Sequence, residues 1–290
     1  MIDTGHAYAK INISLDIISK MENGYHNLKT IMQSVSLSDE ITIECIPNKG
    51  TNPGDDINII DSGRSFLPKD DRNITAKAAR AFLLHSGISG YKTNISVKKN
   101  IPVCAGLGGG SADGACVLRM MDKMFNTNLE RETLLKLAGS VGSDVPFCVF
   151  GGTKLAEGRG ETMTDLPDMP FCYIVICKPA FNFSTPELFS RINCKKINNR
   201  PDTDAIITAL SNGDLQGIAR HMYNVFEDFL PRGKRDIEEI KYKLLDNGAL
   251  GAVMTGSGPT VFGIYDNEAN AEKAYTVLKR DYPESYLSKT

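Results

Sequence analysis

Four glycines fall within five residues at Gly106-Leu107-Gly108-Gly109-Gly110, and Ser111-Ala112-Asp113 follow them. Glycine has no Cβ and tolerates positive φ, so such a run suits a place where backbone must come close to a ligand. Ile101-Pro102-Val103-Cys104-Ala105 leads into the run from a strand-like segment, and a helical pattern follows it. Unpaired N–H groups and the positive end of a helix dipole would then converge on one spot, which binds phosphate without any charged side chain. Ser111, where that helix opens, has a hydroxyl to offer a phosphate or the magnesium bound to one. No lysine follows the glycines as in a Walker A loop, and no opening βαβ unit precedes them as in a dinucleotide fold. A ligand-free glycine turn is the alternative, and the placement between strand and helix favours phosphate.

Transfer of a phosphoryl group to an alcohol needs a carboxylate to accept the hydroxyl proton and a cation to orient it or balance developing charge. Gly142-Ser143-Asp144-Val145-Pro146 and Ala9-Lys10-Ile11-Asn12 carry one of each. Read alone, Asp144 suits a surface cap and Lys10 a snorkelling side chain beside a strand. As a pair near a γ-phosphate they supply both functions. Gly24-Tyr25-His26 is either an exposed pair after a tight turn or a stacking platform with a hydrogen-bonding neighbour, suited to a heteroaromatic base. Met254-Thr255-Gly256-Ser257-Gly258-Pro259-Thr260 reads first as a plain hairpin turn, with an anion site as the alternative.

The elements that must hold these residues follow from periodicity. Residues 7–18 alternate with Ile11, Ile13, Leu15 and Ile17, and 41–45 read as a second strand. Residues 47–71 are rich in Pro, Gly, Asn and Asp and read as an irregular excursion with short strands. Asn73 is a suitable N-cap for a helix with Ala76, Ala79, Phe82 and Leu83 on its apolar face and Gly87 as its stop. A strand over 94–97, a helix through Val117, Leu118, Met121 and Met124, and a third helix over 132–138 come next. The apolar residues 147–150 read as a strand. Beyond them lie a strand over 172–177, helices near 203–211, 214–229 and 233–246, strands over 251–255 and 260–265, and a last helix from about 268. Two prolines within 166–170 mark a boundary dividing 1–166 from 167–290, and the second part reads as α+β with antiparallel pairing.

Composition narrows the partners. The 290 residues are 41% hydrophobic and 23% charged, with a formal net charge of -2, so no basic stripe invites nucleic acid or an anionic membrane. An anionic ligand must be held by local design. The seven cysteines are odd in number, lack a CxxC pair and sit mostly in apolar runs, as free thiols in a reducing compartment do. Four histidines show no metal-ligand spacing. The first residues lack the cationic and apolar segments of a signal peptide and the Ser/Arg-rich pattern of a transit peptide, and no apolar run approaches a membrane span. The expectation is a cytoplasmic protein acting on a small molecule.

Together, in this order, these segments resemble the GHMP kinases, and more closely the diphosphocytidyl-methylerythritol kinases of the non-mevalonate pathway. The residues that carry the likeness are Ala9-Lys10-Ile11-Asn12, Gly24-Tyr25-His26-Asn27-Leu28, Asn73-Ile74 leading into Ala78-Ala79, Ile101-Pro102 with Gly106 to Ser111, Gly142 to Pro146, and Glu157-Gly158-Arg159-Gly160-Glu161. The Gly-Tyr-His triplet separates this subgroup from the wider superfamily. The likeness covers most of the N-terminal half, returns at 254–260, and is faint over 190–245. Ala112 stands where many relatives have a second serine, and Gly114 where alanine is usual, which loosens the helix by roughly 1 kcal/mol.

The resemblance implies an α+β, two-domain fold. Its N-terminal domain would resemble domain 2 of ribosomal protein S5 and bind ATP; its C-terminal domain would be ferredoxin-like and complete the substrate site. Pro102 through Ala112 would hold the ATP phosphates, with Mg2+ bridging them. Asp144 would be the general base toward the 2-hydroxyl of 4-diphosphocytidyl-2-C-methyl-D-erythritol, and Lys10 its cationic partner. Asn12 would help place this substrate, Tyr25 would stack on cytosine and His26 would read its edge. Ser184-Thr185-Pro186-Glu187-Leu188-Phe189 matches the family's Thr-Pro segment, putting Thr185 near the substrate and Phe189 on the base's other face. No protein metal site, nucleic acid or membrane is implied, and the protein would be a monomer or homodimer. The alternatives are a homoserine-type or mevalonate-type kinase, which has no base to stack, and a non-catalytic nucleotide-binding regulator, which needs no base at position 144.

Overall fold

Alternation of aliphatic and polar residues at the start of the chain makes a long strand, β1 (Ile2–Lys20). Its alternation does not leave one face to solvent: every residue from Ala9 to Asp16 is buried, so the polar row Lys10, Asn12, Ser14 and Asp16 is enclosed along with Ile11, Ile13 and Leu15. Burial of polar side chains is costly unless they are hydrogen-bonded; Lys10, Asn12 and Asp16 are bonded, whereas the Ser14 hydroxyl has no protein partner. The computed structural model describes residues 1–290. The chain forms two compact units interleaved in sequence, the first from Met1–Ala9, Ser38–Val103 and Gly108–Phe150, the second from Lys10–Leu37, Cys104–Leu107 and Gly151–Thr290.

In the first unit, β2 (His26–Pro47) contributes its second half to an antiparallel pairing with β4 (Tyr91–Lys98), and β3 (Ile57–Asp61) runs parallel to β4. Between β3 and β4 lies α1 (Ile74–Ser86), which begins as its sequence requires: the Asn73 side chain accepts from Thr75 N at 3.0 Å, and Gly87 closes it in the left-handed conformation at φ 64°. Ala76, Ala79, Phe82 and Leu83 are its buried face. The helix after the glycines, α2 (Gly109–Phe125), packs against α1 and is followed by α3 (Arg131–Val141) and α4 (Val145–Phe150).

The last of these corrects an expectation, because the apolar residues 147–150 are helical. Six apolar residues carry no period that separates a strand from a buried helical turn. Pro146, which has no N–H to lose in a first turn, favours the helix, and the Asp144 carbonyl accepts from Cys148 N at 3.2 Å. Arg119 of α2 then caps the far end by donating to the carbonyls of Cys148 at 2.6 Å and Val149 at 3.2 Å.

The second unit adds β5 (Thr153–Gly158), which pairs antiparallel with the first half of β2, and β6 (Thr162–Asp165), which pairs with β5. Then come β7 (Tyr173–Lys178), α5 (Thr185–Arg191), α6 (Thr203–Ser211), α7 (Leu215–His221) and β8 (Tyr223–Asn224), the last running parallel to β1 through Ser14 and Leu15. The remaining elements are α8 (Lys234–Asp246), β9 (Gly251–Met254), β10 (Val261–Tyr265), α9 (Glu268–Asp281) and β11 (Glu284–Lys289). Strands β11-β7-β10-β9 form an antiparallel sheet with α8 and α9 packed on it. Its core includes Val175, Phe226, Ile240, Leu244 and Tyr265, together with Leu15 and Ile17 of β1.

The helix expected over 214–229 stops at His221. Asn224, fully buried, takes its side chain out of helical service by donating to the carbonyls of Met254 at 2.7 Å and Gly256 at 2.8 Å and accepting from Phe226 N at 3.0 Å. Strands β5, β6 and β11 are not anticipated by the pattern, since each is short and mixes polar residues into the run. No helix is long and apolar enough to cross a membrane.

The cap on α1 gives a direct measurement. Asn73→Ala removes the acceptor for Thr75 N and is expected to cost about 1 kcal/mol. A lower urea midpoint with an unchanged slope would register that loss.

Candidate active site

Within the second unit, the polar row of β1 meets two glycine backbones. Lys10 Nζ donates to Asn12 Oδ1 at 2.6 Å, and Asn12 Nδ2 donates to Thr30 Oγ1 at 2.8 Å, which in turn donates to the Ser14 carbonyl at 2.6 Å. Lys10 is 4% and Asn12 3% exposed, so this chain of bonds satisfies groups that water does not reach. Lys10 N bonds the Leu107 carbonyl at 3.0 Å, which ties the strand to the glycine run. Thr255 adds a second tie: its Oγ1 accepts from Asn12 N at 2.9 Å and lies 3.3 Å from the Gly106 carbonyl.

Glycine is required at both contact points. Gly106 has φ 76°, and a Cβ there would overlap the Thr255 carbonyl. Gly256 has φ 55°, and a Cβ there would lie 2.9 Å from Gly106 O, 3.2 Å from Asn12 Oδ1 and 3.3 Å from Lys10 Nζ. Residues 254–260 are therefore more than a plain hairpin turn, since they abut the glycine run and the Lys10 ammonium. Thr255, Thr30 and Asn224 all support this arrangement; Thr255 lies in the 254–260 segment that the sequence singles out, whereas nothing in the sequence points to Thr30 or Asn224. A buried polar side chain on a strand end gives no signal until its partner, far along the chain, is known.

Tyr25 and His26 stand at the β1–β2 turn, which Met21 N closes on the Tyr25 carbonyl at 2.7 Å. Tyr25 is exposed and carries the Arg159 guanidinium 4.7 Å above its ring. His26 is buried and stacks on Phe189 of α5, centroids 5.1 Å apart, and Phe189 meets the ring of Phe226 edge-on at 5.0 Å. His26 Nε2 is buried without a protein partner. Burial, and then the Lys20 charge, hold the His26 pKa below its usual 6.5. Thr185 Oγ1, at the start of α5, lies 2.8 Å from Ser257 Oγ. The structure thus brings His26 together with Phe189, Thr185 with the 254–260 turn, and Lys10 with Asn12, while it gives Tyr25 the Arg159 side chain for a neighbour.

In the first unit, α2 opens at Gly108, whose φ of 66° is left-handed, and no side chain caps its first turn. The N–H groups of Gly109, Gly110 and Ser111 are left for another acceptor. Pro102 and Leu107 are buried, Val103 is half-buried, and Cys104 is exposed at φ 54°. Ala105 and Ala112 are buried and the backbone between them carries the turn. Asp144, half-buried, lies immediately before α4 and follows Gly142 at the end of α3.

Beneath the first turn of α2 sits a buried ionic cluster. Lys99 Nζ donates to Asp39 Oδ2 and, at 2.8 Å, to Asp113 Oδ2. Asp39 Oδ1 also accepts backbone N–H groups from Asn100 at 2.6 Å and Ile101 at 2.8 Å. One ammonium cannot balance two buried carboxylates. Asp113 therefore keeps its proton, pushed up to about 8 by burial in spite of Lys99 and with Asp39 adding to the rise. No cluster of three or more His, Cys, Asp or Glu side chains is arranged as a metal cage.

Comparison with known proteins adds to this geometry. Residues 73–152 match the family described as GHMP kinases N terminal domain, and residues 206–284 the one described as GHMP kinases C terminal. A Clostridium botulinum (strain Langeland) protein named 4-diphosphocytidyl-2-C-methyl-D-erythritol kinase is 41% identical over 285 residues, which span 98% of each chain. A crystal structure of a 4-(cytidine 5'-diphospho)-2C-methyl-D-erythritol kinase superposes with a TM-score of 0.83 at 27% identity, over 99% of this chain and 98% of the other. Homoserine kinase from Cytophaga hutchinsonii superposes with a TM-score of 0.74 at 21% identity, over 99% and 94%, and that likeness is one of fold.

The raised titration of Asp113 makes stability depend on pH. The unfolded chain releases this proton near 3.8 and the fold near 8, so folding favours the protonated form. Its contribution is complete below the ordinary carboxylate range and is lost as pH rises toward about 8. Asp113→Asn, which is always neutral, is expected to show a flatter decline in urea midpoint over that window than the unaltered protein. Parallel declines would contradict the assignment.

Proposed function

The chain belongs to the GHMP kinases, and within them to the 4-diphosphocytidyl-2-C-methyl-D-erythritol kinases, and from that premise we propose that it transfers the γ-phosphoryl group of ATP to the 2-hydroxyl of 4-diphosphocytidyl-2-C-methyl-D-erythritol. The product would feed isoprenoid precursor synthesis by the non-mevalonate route. The observation that carries the reading is a 41% identity sustained over 98% of the chain with relatives of that name. The GHMP N-terminal and C-terminal matches fall on either side of residue 166, which supports reading 1–166 as the ATP-binding part and 167–290 as the C-terminal substrate part.

ATP would lie with its phosphates on Pro102 through Ala112, received by the uncapped N–H groups at the start of α2. Magnesium would come with the nucleotide. The phosphate oxygens and the Ser111 hydroxyl would hold the ion, and the ion would offset phosphate charge; Asp39 and Asp113 are engaged by Lys99. Asp144 would accept the proton of the 2-hydroxyl as the new oxygen–phosphorus bond forms and the bond to ADP breaks. Lys10, already oriented by Asn12 at 2.6 Å, would align the hydroxyl and balance the developing charge.

On the acceptor side, Tyr25 would stack on cytosine, with Arg159 as the group that now covers its face. His26 is held neutral by burial and has a ring nitrogen without a protein partner, which suits reading the edge of a neutral base. Phe189, which stacks on the His26 ring, would lie on the other face of the base, and Thr185, bonded to Ser257, would stand near the acceptor. Asn12 would help place the acceptor's polyol. A homoserine-type or mevalonate-type acceptor would use none of these aromatic groups. The protein would act in the cytoplasm as a monomer or homodimer, without a nucleic-acid or membrane partner.

Asp144→Asn is expected to lower turnover by roughly two to four orders of magnitude. ATP affinity should stay within a few-fold of the unaltered protein. The assay is ADP release from ATP with 4-diphosphocytidyl-2-C-methyl-D-erythritol, using the uncytidylylated sugar phosphate as control. Turnover retained within a few-fold would remove Asp144 as the base, and equal turnover of the control would remove the cytidyl assignment.

A further inference from the structure

Asp39, Lys99 and Asp113 have no part in the chemistry assigned above, yet they are only 0%, 8% and 5% exposed. An apolar trio of similar volume would be as stable or more so, so burial of three ionisable groups calls for a task that apolar groups cannot do. Their bonds indicate that task. Asp39 grips the backbone at Asn100 and Ile101, immediately before the phosphate loop. Asp113 belongs to the opening of α2, immediately after it, and the Lys99 ammonium joins the two carboxylates. Lys99 is itself fixed, because its stem lies against Gly63 at φ 76°, where a Cβ would overlap it. Its ammonium lies under Gly109, where a Cβ would be 3.4 Å from Nζ and 2.9 Å from Ile101 Cγ2. No side chain caps α2, and this cluster lies directly against its first turn.

We propose that Asp39, Lys99 and Asp113 are positioning residues for ATP, a clamp that fixes the two ends of the phosphate loop so that the N–H groups of Gly109, Gly110 and Ser111 face the nucleotide. The inference rests on the kinase reading and deepens it. It assigns nucleotide affinity to side chains that never touch the nucleotide. A dipole-based phosphate site depends steeply on orientation, and a shift of a fraction of an ångström in the first turn redirects all three donors together.

The test measures binding of a non-hydrolysable ATP analogue with magnesium by calorimetry, and KM for each substrate, on the full chain. Asp113→Ala is expected to weaken the analogue and raise KM for ATP about tenfold, with KM for the acceptor and kcat at saturating ATP within about threefold. Asp113→Asn, which keeps an acceptor oxygen toward Lys99, is expected to restore affinity to within about twofold. Should the alanine variant fail to fold, Asp113→Ser, whose side chain is too short to reach Lys99, carries the same expectation. Unchanged ATP affinity in a variant that circular dichroism shows to be folded overturns the clamp, as does equal weakening toward both substrates. Unaltered protein that binds the analogue but forms no ADP from the proposed acceptor defeats the acceptor assignment, while the binding series still decides the clamp. Unaltered protein that does not bind the analogue overturns both.

Discussion

Between the α-carbon of Gly106 and the carbonyl of Thr255 there is no room for a side chain, and the same holds between Gly256 and the Gly106 carbonyl. This close approach of two backbone segments, about 150 residues apart in sequence, is the constraint from which the arrangement around Lys10 in the second unit follows. It brings the Lys10 ammonium and the Asn12 amide against the glycine run, and it requires the polar row of β1 to be buried. Burial in turn demands the relay from Lys10 through Asn12 and Thr30 to the Ser14 carbonyl. Thr255 and Asn224 complete it by fixing the turn that carries Gly256. One steric requirement thus bears on the residue types of five separate segments.

Parts of this were legible in the sequence for reasons that are local. Asn73 and Gly87 announce the ends of α1 because capping is a matter of adjacent residues. The glycine run reads as a phosphate-type loop because strand, glycines and helix are contiguous, and Lys10 and Asp144 are singled out by adding a chemical requirement to that loop, whereas a role for Asn12 comes only from the family resemblance. Tertiary partners were not legible. The 147–150 stretch looks like a strand until Arg119, some 30 residues earlier, is seen closing its carbonyls. The 214–229 helix looks continuous until Asn224 is seen bonding a turn 30 residues away. Lys99 and Asp39 look like ordinary surface charges in sequence, and only the fold reveals that they share Asp113.

The charge balance of the whole chain gives a nucleotide no long-range attraction, since the net charge is -2. Attraction has to be built where it is used. On the proposed reading, two devices of different character would do so. Backbone N–H groups at the start of α2 carry fixed partial charges that need no counterion, and the buried Lys10 carries a whole charge whose orientation Asn12 controls. The Lys99 cluster sits beneath the first device and adds no net positive charge to it, because Asp39 balances the ammonium and Asp113 keeps its proton. Any contribution it makes to the proposed anion site would therefore be geometric.

On the proposed reading, selectivity among acceptors would rest on a different kind of cost. His26 Nε2 is buried and has no protein partner, and an unpaired polar atom in such a place costs about 1–3 kcal/mol. A ligand that offers a complementary group recovers that cost, whereas an aliphatic acceptor leaves it standing. Stacking on Phe189 prevents the ring from turning away to find another partner, and Phe226 backs Phe189 in turn. A protonated imidazole would carry a donor on both nitrogens and would lose its ability to accept, so the lowered pKa keeps the choice of tautomer open to the ligand. The discrimination proposed for this enzyme family member thus comes less from added attraction to a cytosine than from a penalty that only a hydrogen-bonding base removes.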